Sequence, residues 1–364
     1  MDSATQFVLG ACVGTSVLGR CLGPRKAAVL GGVLGSMPDM DVFYPFDDPV
    51  DSFVLHRSAT HSLVMHALAT PIFGEAILRL FKYFRDNASE NRVPVYAAAF
   101  LCFTTHALLD AFTIYGTQLF WPITDYPVGI GSVFIIDPLY TLPLLVATIW
   151  ALCLRQWNGG IRKALSVGLV LSSGYLAWTL GAQQWALAKA ETALGRTLGA
   201  GEALSIPTPF NTLFWKVIVL ADDRYANIYV PLFAGQDATR VYVHARTPAE
   251  GACLDAIPDF RRLADFAKGF YRIEEIENGD VAIADLRMGL TPNYVFRFDV
   301  ARHVDGGLVE TAPPIRVASQ RNASGDLDWL LSGIRGIAVP RTAEEDALGT
   351  DFAALSARVG STKC

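Results

Sequence analysis

The chain has 364 residues, 52% of them apolar and 18% charged, with a mean hydropathy of +0.32. An ordinary soluble domain carries about 25% charge, so the composition excludes a disordered chain and argues against a wholly soluble one. Thirty Lys+Arg against 35 Asp+Glu leave a net charge of −5, without the basic excess of a nucleic-acid binder. The six cysteines (Cys12, Cys21, Cys102, Cys153, Cys253 and Cys364) form no C-x-x-C, which excludes a zinc ribbon or thioredoxin-type motif.

A membrane-spanning helix needs about 17–25 apolar residues. Residues 5–22 are Gly-rich and just long enough, with neither the basic n-region nor the A-x-A site of a cleaved signal peptide. Residues 27–37 are too short to span alone and read as a half-helix that delivers Pro38–Asp41 into the membrane. Irregular backbone at that depth is tolerated only where protein buries it or it lines a wet cavity. Residues 61–81, 94–115, 138–154 and 164–186 all qualify as spans. Basic residues fall in alternate loops: Arg20, Arg25 and Lys26; Lys82, Arg85 and Arg92; Arg155, Arg162 and Lys163. The positive-inside rule makes those loops cytoplasmic. It then places the 38–60 and 116–136 loops, and the C-terminal half, on the periplasmic side.

The long apolar stretches end at about residue 187, and after about residue 205 the charges return. Residues 186–199 read as an amphipathic helix at the membrane interface, broken by the sequence SIPTPF. Strands are expected over 213–220, 225–233, 241–245, 271–276, 281–286 and 294–300, with ENGD as a hairpin turn. Helices are expected over 257–270 and 326–334. The fold class is thus an α-helical polytopic membrane domain of about five to six helices, followed by an α+β or mainly β soluble domain. The boundaries are 1–187 for the membrane domain, 188–204 for the interfacial linker, 205–340 for the soluble domain and 341–364 for a loose tail.

Ionisable groups within membrane segments are costly and mark a site. Four of the six histidines (His56, His61, His66 and His106) fall in the membrane half, near Asp39, Asp41, Asp110 and Asp137. His106 and Asp110 form H-x-x-x-D, which puts both on one helix face. Asp39 and Asp41 form D-x-D, read as extended backbone that points both carboxylates the same way. His56 lies in a loop and His61 opens the next helix, capped by Thr60 or Ser58. With the topology above, these groups meet on one side. Imidazole plus carboxylate is a ligand set for zinc, manganese or iron. Asp39, Asp41, His61, His106 and Asp110 are the candidate ligands for one or two divalent ions, zinc foremost. His56 is a further ligand or the general acid/base. Arg57 is a phosphate clamp or pairs with Asp51 or Asp137. His66 reads as a helix–helix contact, while Asp137 is either a helix cap or part of the site.

The segments GSMPDMD, HRSATHS, THALLDAFTIYGTQLFWP and IDPLY resemble the YdjM/DUF457 family of bacterial inner-membrane proteins described as metal-dependent hydrolases. The resemblance covers about residues 5–185. The downstream segments PTPFNTLFWKVIVLADDRY and YVFRFDVA resemble the C-terminal region of longer members. The family's D-x-D falls on Asp39 and Asp41. Its H-R-x-x-T-H-S falls on His56, Arg57, Thr60, His61 and Ser62, and its H-x-x-x-D on His106 and Asp110. The resemblance implies a membrane-embedded metal hydrolase.

From the C-terminal half no catalytic constellation is expected; His244 and His303 read as ordinary strand or surface residues. The expected activity is hydrolysis of an ester or phosphoester in a lipid-like substrate by metal-activated water, in the bacterial inner membrane. The bilayer is the partner and nucleic acid is not. The alternatives are a divalent-metal or proton transporter using the same His/Asp cluster, and a membrane scaffold binding an envelope partner.

Overall fold

The computed structural model describes residues 1–199, 201–246, 251–276, 279–304, 307–318 and 324–357. The chain divides into two compact units. The first holds Met1–Pro45, Leu55–Leu180 and Pro209–Asn211; the second holds Phe46–Val54, Gly181–Thr208 and Thr212–Cys364.

The first unit is helical. α1 (Ser3–Leu22) and α2 (Pro24–Ser36) form a tight hairpin. The hairpin closes because small residues face each other at four-residue spacing. A Cβ on Gly10 would lie 2.4 Å from the carbonyl oxygen of Gly31, and one on Gly14 would lie 2.6 Å from the Gly31 Cα. Such close backbone approach is how small-residue helix faces pack in membranes. α2 ends at Ser36, Met37 stays in the α region at φ −65° and ψ −36°, and a 3₁₀ helix follows over Pro38–Phe43. Asp39 and Asp41 therefore lie on a 3₁₀ turn and not on extended backbone, a correction to the D-x-D reading. The tighter helical turn separates their directions, where a strand would align them.

α3 (Pro49–Leu55) and a 3₁₀ turn at Ala59–His61 lead into α4 (Leu63–Leu80). The α4 cap is Ser62, whose hydroxyl accepts from the Met65 N–H at 3.4 Å, and neither Thr60 nor Ser58 fills that role. α5 (Lys82–Asp86) and α6 (Ala88–Phe112) follow. α7 (Pro138–Cys153) is capped by Asp137, which accepts from the N–H groups of Leu139 and Tyr140 and from the Tyr175 hydroxyl. α8 (Gly159–Leu194) runs 36 residues. α1, α4, α6 and α8 are long and apolar enough to cross a membrane, and α7 is a shorter apolar helix. α1 packs on α2, α6 and α7, and α4 on α6. Leu68, Ile72 and Val170 lie exposed on α4 and α8, as lipid-facing residues do.

The second unit is built on antiparallel sheets. β1 (Ala203–Pro207), β2 (Phe214–Leu220), β3 (Arg224–Pro231) and β4 (Arg240–Ala245) form one, in chain order. α9 (Gly251–Leu254) and α10 (Pro258–Phe266) precede β5 (Tyr271–Glu275) and β6 (Val281–Asp285). β7 (Gly289–Leu290) and β8 (Asn293–Tyr294) pair as a short ribbon. β9 (Arg297–Val304) and β10 (Gly307–Arg316) complete a second sheet of order β10-β9-β6-β5. Of the ENGD turn, Glu277 and Asn278 lie outside the described residues; Gly279 has φ +77°. β1 and β10 were not expected, because Pro207, Pro313 and Pro314 mask the strand pattern.

Two boundaries need correction. Residues 188–204 are no interfacial linker. α8 continues to Leu194, with Ala182, Ala186 and Ala190 buried against Trp215, Val217 and Ile228 of the sheet. Lys189 is held there by the carbonyls of Pro231, Leu232 and Ala234. Nor is the described part of 341–364 a loose tail. It forms α11's successor α12 (Thr342–Ala357), after α11 (Asp326–Ile334), and is pinned by buried polar groups that no apolar run announces. Residues 358–364 lie outside the described residues.

Candidate metal centre

Asp39, His61, His106 and Asp110 each offer one ligand atom, and these atoms all lie within 4.8 Å of one another. His61, His106 and Asp110 are buried; the Asp39 side chain is 21% exposed and is the cluster's outward edge. His106 and Asp110 stand one turn apart on α6, as their i, i+4 spacing requires. Asp39 arrives on the 3₁₀ turn after α2, and His61 at the end of the turn before α4.

The donor set fits a small divalent ion. Zinc bonds to N and O are about 2.0–2.1 Å, so the edges of a tetrahedron of such ligands are roughly 3.3 Å. His61 Nε2 lies 3.1 Å from His106 Nε2, 3.4 Å from Asp39 Oδ1 and 3.3 Å from Asp110 Oδ2. His106 Nε2 lies 3.3 Å from Asp39 Oδ1 and 3.5 Å from Asp110 Oδ2. Asp110 Oδ2 is buried and makes no hydrogen bond of good geometry, though the Arg57 Nε lies 3.1 Å from it.

The outer contacts set the tautomers. The His106 Nδ1–H donates to the Gly35 carbonyl at 2.6 Å. The His61 Nδ1–H donates to Thr60 Oγ1 at 3.0 Å, and the Thr60 hydroxyl donates to Asp41 Oδ2 at 2.9 Å. Both Nε2 atoms then turn lone pairs toward the same point, the arrangement that metal-binding histidines take from their partners.

Asp41 is not among the four converging residues. It binds His56 Nδ1 at 3.1 Å, the Arg57 N–H at 3.1 Å and Thr60, and lies 3.8 Å from His61 Nδ1. Burial works against its charge, but the hydrogen bond and charge of His56 hold its carboxyl below the ordinary range. Burial likewise opposes ionisation of Asp39, and hydrogen bonds with His106 and His61 overcome it, drawing its pKa down. His56 is part-exposed and stands edge-on to His61, with ring centroids 5.9 Å apart.

Arg57 is buried and pairs with neither Asp51 nor Asp137. Its Nε lies 3.1 Å from Asp110 Oδ2, its Nη1 donates to Thr113 Oγ1, and its guanidinium covers the Tyr115 ring. This geometry suits it to neutralising and orienting Asp110 more than to clamping a phosphate. His66 binds the Thr60 carbonyl through Nε2 at 2.8 Å, and Asp137 caps α7; neither joins the four. The sequence reading passed over Gln6, whose Nε2 donates to Asp110 Oδ1 at 2.9 Å, and the Met1 amino group, which also meets Asp110. A polar Gln buried on the apolar α1 was the available signal for the first; nothing local marked the second.

Residues 1–186 match the family described as YdjM inner membrane protein, and the chain belongs to it. No curated protein and no solved structure matches the chain.

Proposed function

We propose that this member of the YdjM family is a membrane-embedded, metal-dependent hydrolase acting on an ester or phosphoester bond of a lipid-like substrate. The carrying observation is the convergence of one atom each from Asp39, His61, His106 and Asp110 within 4.8 Å, among membrane-length helices. These four residues would hold a divalent ion, zinc first and manganese or iron as alternatives. Such an ion supplies a bound water of pKa about 7 and polarises a phosphoryl or acyl oxygen.

The chain's own groups do the rest. Asp41 holds the His56 Nδ1–H, which leaves Nε2 as the nitrogen that would serve as general acid/base. Arg57 orients Asp110, with its Nε 3.1 Å from Oδ2. Thr60 and Asp41 fix the His61 ring, and Gly35 fixes that of His106. A centre set among lipid-facing helices receives its substrate laterally from the bilayer. By loop charge the centre and the second unit face the periplasm.

The test is metal analysis of detergent-purified chain beside turnover of phospholipid and acyl-ester substrates. Wild type should retain close to stoichiometric metal, lose turnover on chelation and regain it with zinc. His61→Ala should lack both metal and turnover. Full metal content in that variant would defeat the assignment, and metal flux into proteoliposomes without lipid turnover would replace the hydrolase with a carrier.

A further inference from the structure

Nine residues leave the first unit between two parts of the metal centre. Residues Phe46–Val54 belong to the second unit, while Pro45 before them and Leu55 after them belong to the first. Asp41 precedes this excursion by a few residues, and His56, Arg57 and His61 follow it directly. α3 occupies most of it and has only seven residues. A helix that short is not stable alone in water, so packing must hold it.

That packing lies within the second unit. Phe53 is buried with its ring 4.9 Å from Phe266, 4.4 Å from Phe296 and 5.3 Å from Phe298, centroid to centroid. Val50 is also buried. Asp51 pairs with Arg262 of α10, which also meets Asp259 at 3.2 Å. An aromatic anchor and an ion pair thus fix the chain within a few residues of the centre. The residue just beyond needs such fixing. Arg57 has φ +64°, a conformation that non-glycine residues hold only where the surroundings enforce it. Its N–H donates to Asp41, and its carbonyl accepts from the Gln118 N–H at 2.9 Å.

We propose that α3 is a strap by which the second unit holds the metal-centre loop in register, with Phe53, Asp51 and Arg262 as positioning residues for His56, Arg57 and His61. This gives the second unit a role at a centre to which, among the described residues, it contributes no ligand. The backbone part stands by itself; the part concerning metal affinity rests on the function proposed above.

The test uses full-length chain and two readouts. The first is backbone hydrogen exchange over residues 55–62 without added metal. The second is affinity for Zn²⁺ alone, measured by calorimetry. Phe53→Ala should speed exchange over 55–62 at least about tenfold while β2 and β3 stay protected. It should weaken zinc roughly ten- to a hundredfold, as loss of outer-shell support does. Arg262→Asp should act in the same direction, and Asp51→Arg combined with Arg262→Asp should restore both readouts. The charge pair keeps the question decidable if Phe53→Ala unfolds the second unit. Unchanged exchange over 55–62 in Arg262→Asp, or no recovery in the swapped pair, overturns the strap. If wild type binds no zinc while exchange over 55–62 responds as described, the metal reading fails and the strap stands.

Discussion

Each unit buries histidine beside carboxylate, and the two arrangements differ in kind. In the first unit, His61 and His106 spend their Nδ1–H groups on Thr60 and Gly35. Their Nε2 lone pairs then face one oxygen each of Asp39 and Asp110 across about 3.3 Å, spaced as the ligands of a small divalent ion would be. In the second unit, Glu344 of α12 is met by donors. Its Oε1 accepts from the Tyr229 hydroxyl at 2.5 Å and from Asn227 Nδ2 at 3.1 Å, and its Oε2 lies 2.5 Å from His244 Nε2. Arg341, beside it, pairs with Asp326 and donates to the Thr291 carbonyl. Both oxygens of Glu344 are met by donors, and these bonds tie α12 to β3 and β4. Buried His beside carboxylate thus takes two forms: donors gathered on one carboxylate in the second unit, and one ligand atom from each of four residues gathered within 4.8 Å in the first.

The comparison breaks first at Asp110. Asp110→Ala should cost more than about a hundredfold in metal affinity, since even outer-shell partners cost 10–100-fold, and turnover should vanish with it. Metal content equal to wild type by mass spectrometry would put the first unit in the same class as the second. Glu344→Ala should do the reverse. It leaves His244 and Tyr229 buried without their acceptor and should cost about 3–5 kcal/mol in unfolding of the second unit, with metal content unchanged. Denaturant titration beside metal analysis reads both.

A gentler cut sharpens the first half of the comparison. Thr60→Val keeps the shape but removes the hydroxyl between His61 and Asp41, so zinc should bind roughly ten- to a hundredfold more weakly. Calorimetry showing wild-type affinity would mean the His61 tautomer is set elsewhere. The smallest effect is in pH. Burial opposes the charge of Glu344, yet the bonds from His244 and Tyr229 hold its pKa below the ordinary 4.5. A depressed folded pKa means that this contribution to stability is complete above 4.5 and lost as pH falls through the folded value. Protection of α12 in hydrogen exchange should fall in that acid range, and Glu344→Gln should flatten the dependence.

Parts of this were legible in the sequence. The membrane-length helices α1, α4, α6 and α8 could be read because apolar run length is set by the bilayer; α7, expected as a fifth span, is shorter. The His106–Asp110 pair could be read because helix geometry fixes i, i+4. The D-x-D reading failed because proline in "MPDMD" started a 3₁₀ turn, which sends Asp39 to the histidines and Asp41 to His56 and Thr60. The tail was misread because its anchor is long-range: Glu344 meets a histidine 100 residues earlier. Gln6 was overlooked because a single amide in a Gly-rich span has no local pattern.

The sequence by itself determined that this is a membrane chain with a His/carboxylate cluster, since ionisable groups cost so much among apolar helices that those kept there stand out. Only the tertiary structure decided which of them share one point. His61 and His106 are 45 residues apart, and Gly35 and His106 are 71 apart. Contacts of about 3 Å across such separations depend on how closely α1, α2 and α6 pack. For α1 and α2 that closeness comes from glycine faces, Gly10 and Gly14 against Gly31, whose effect exists only once the helices meet.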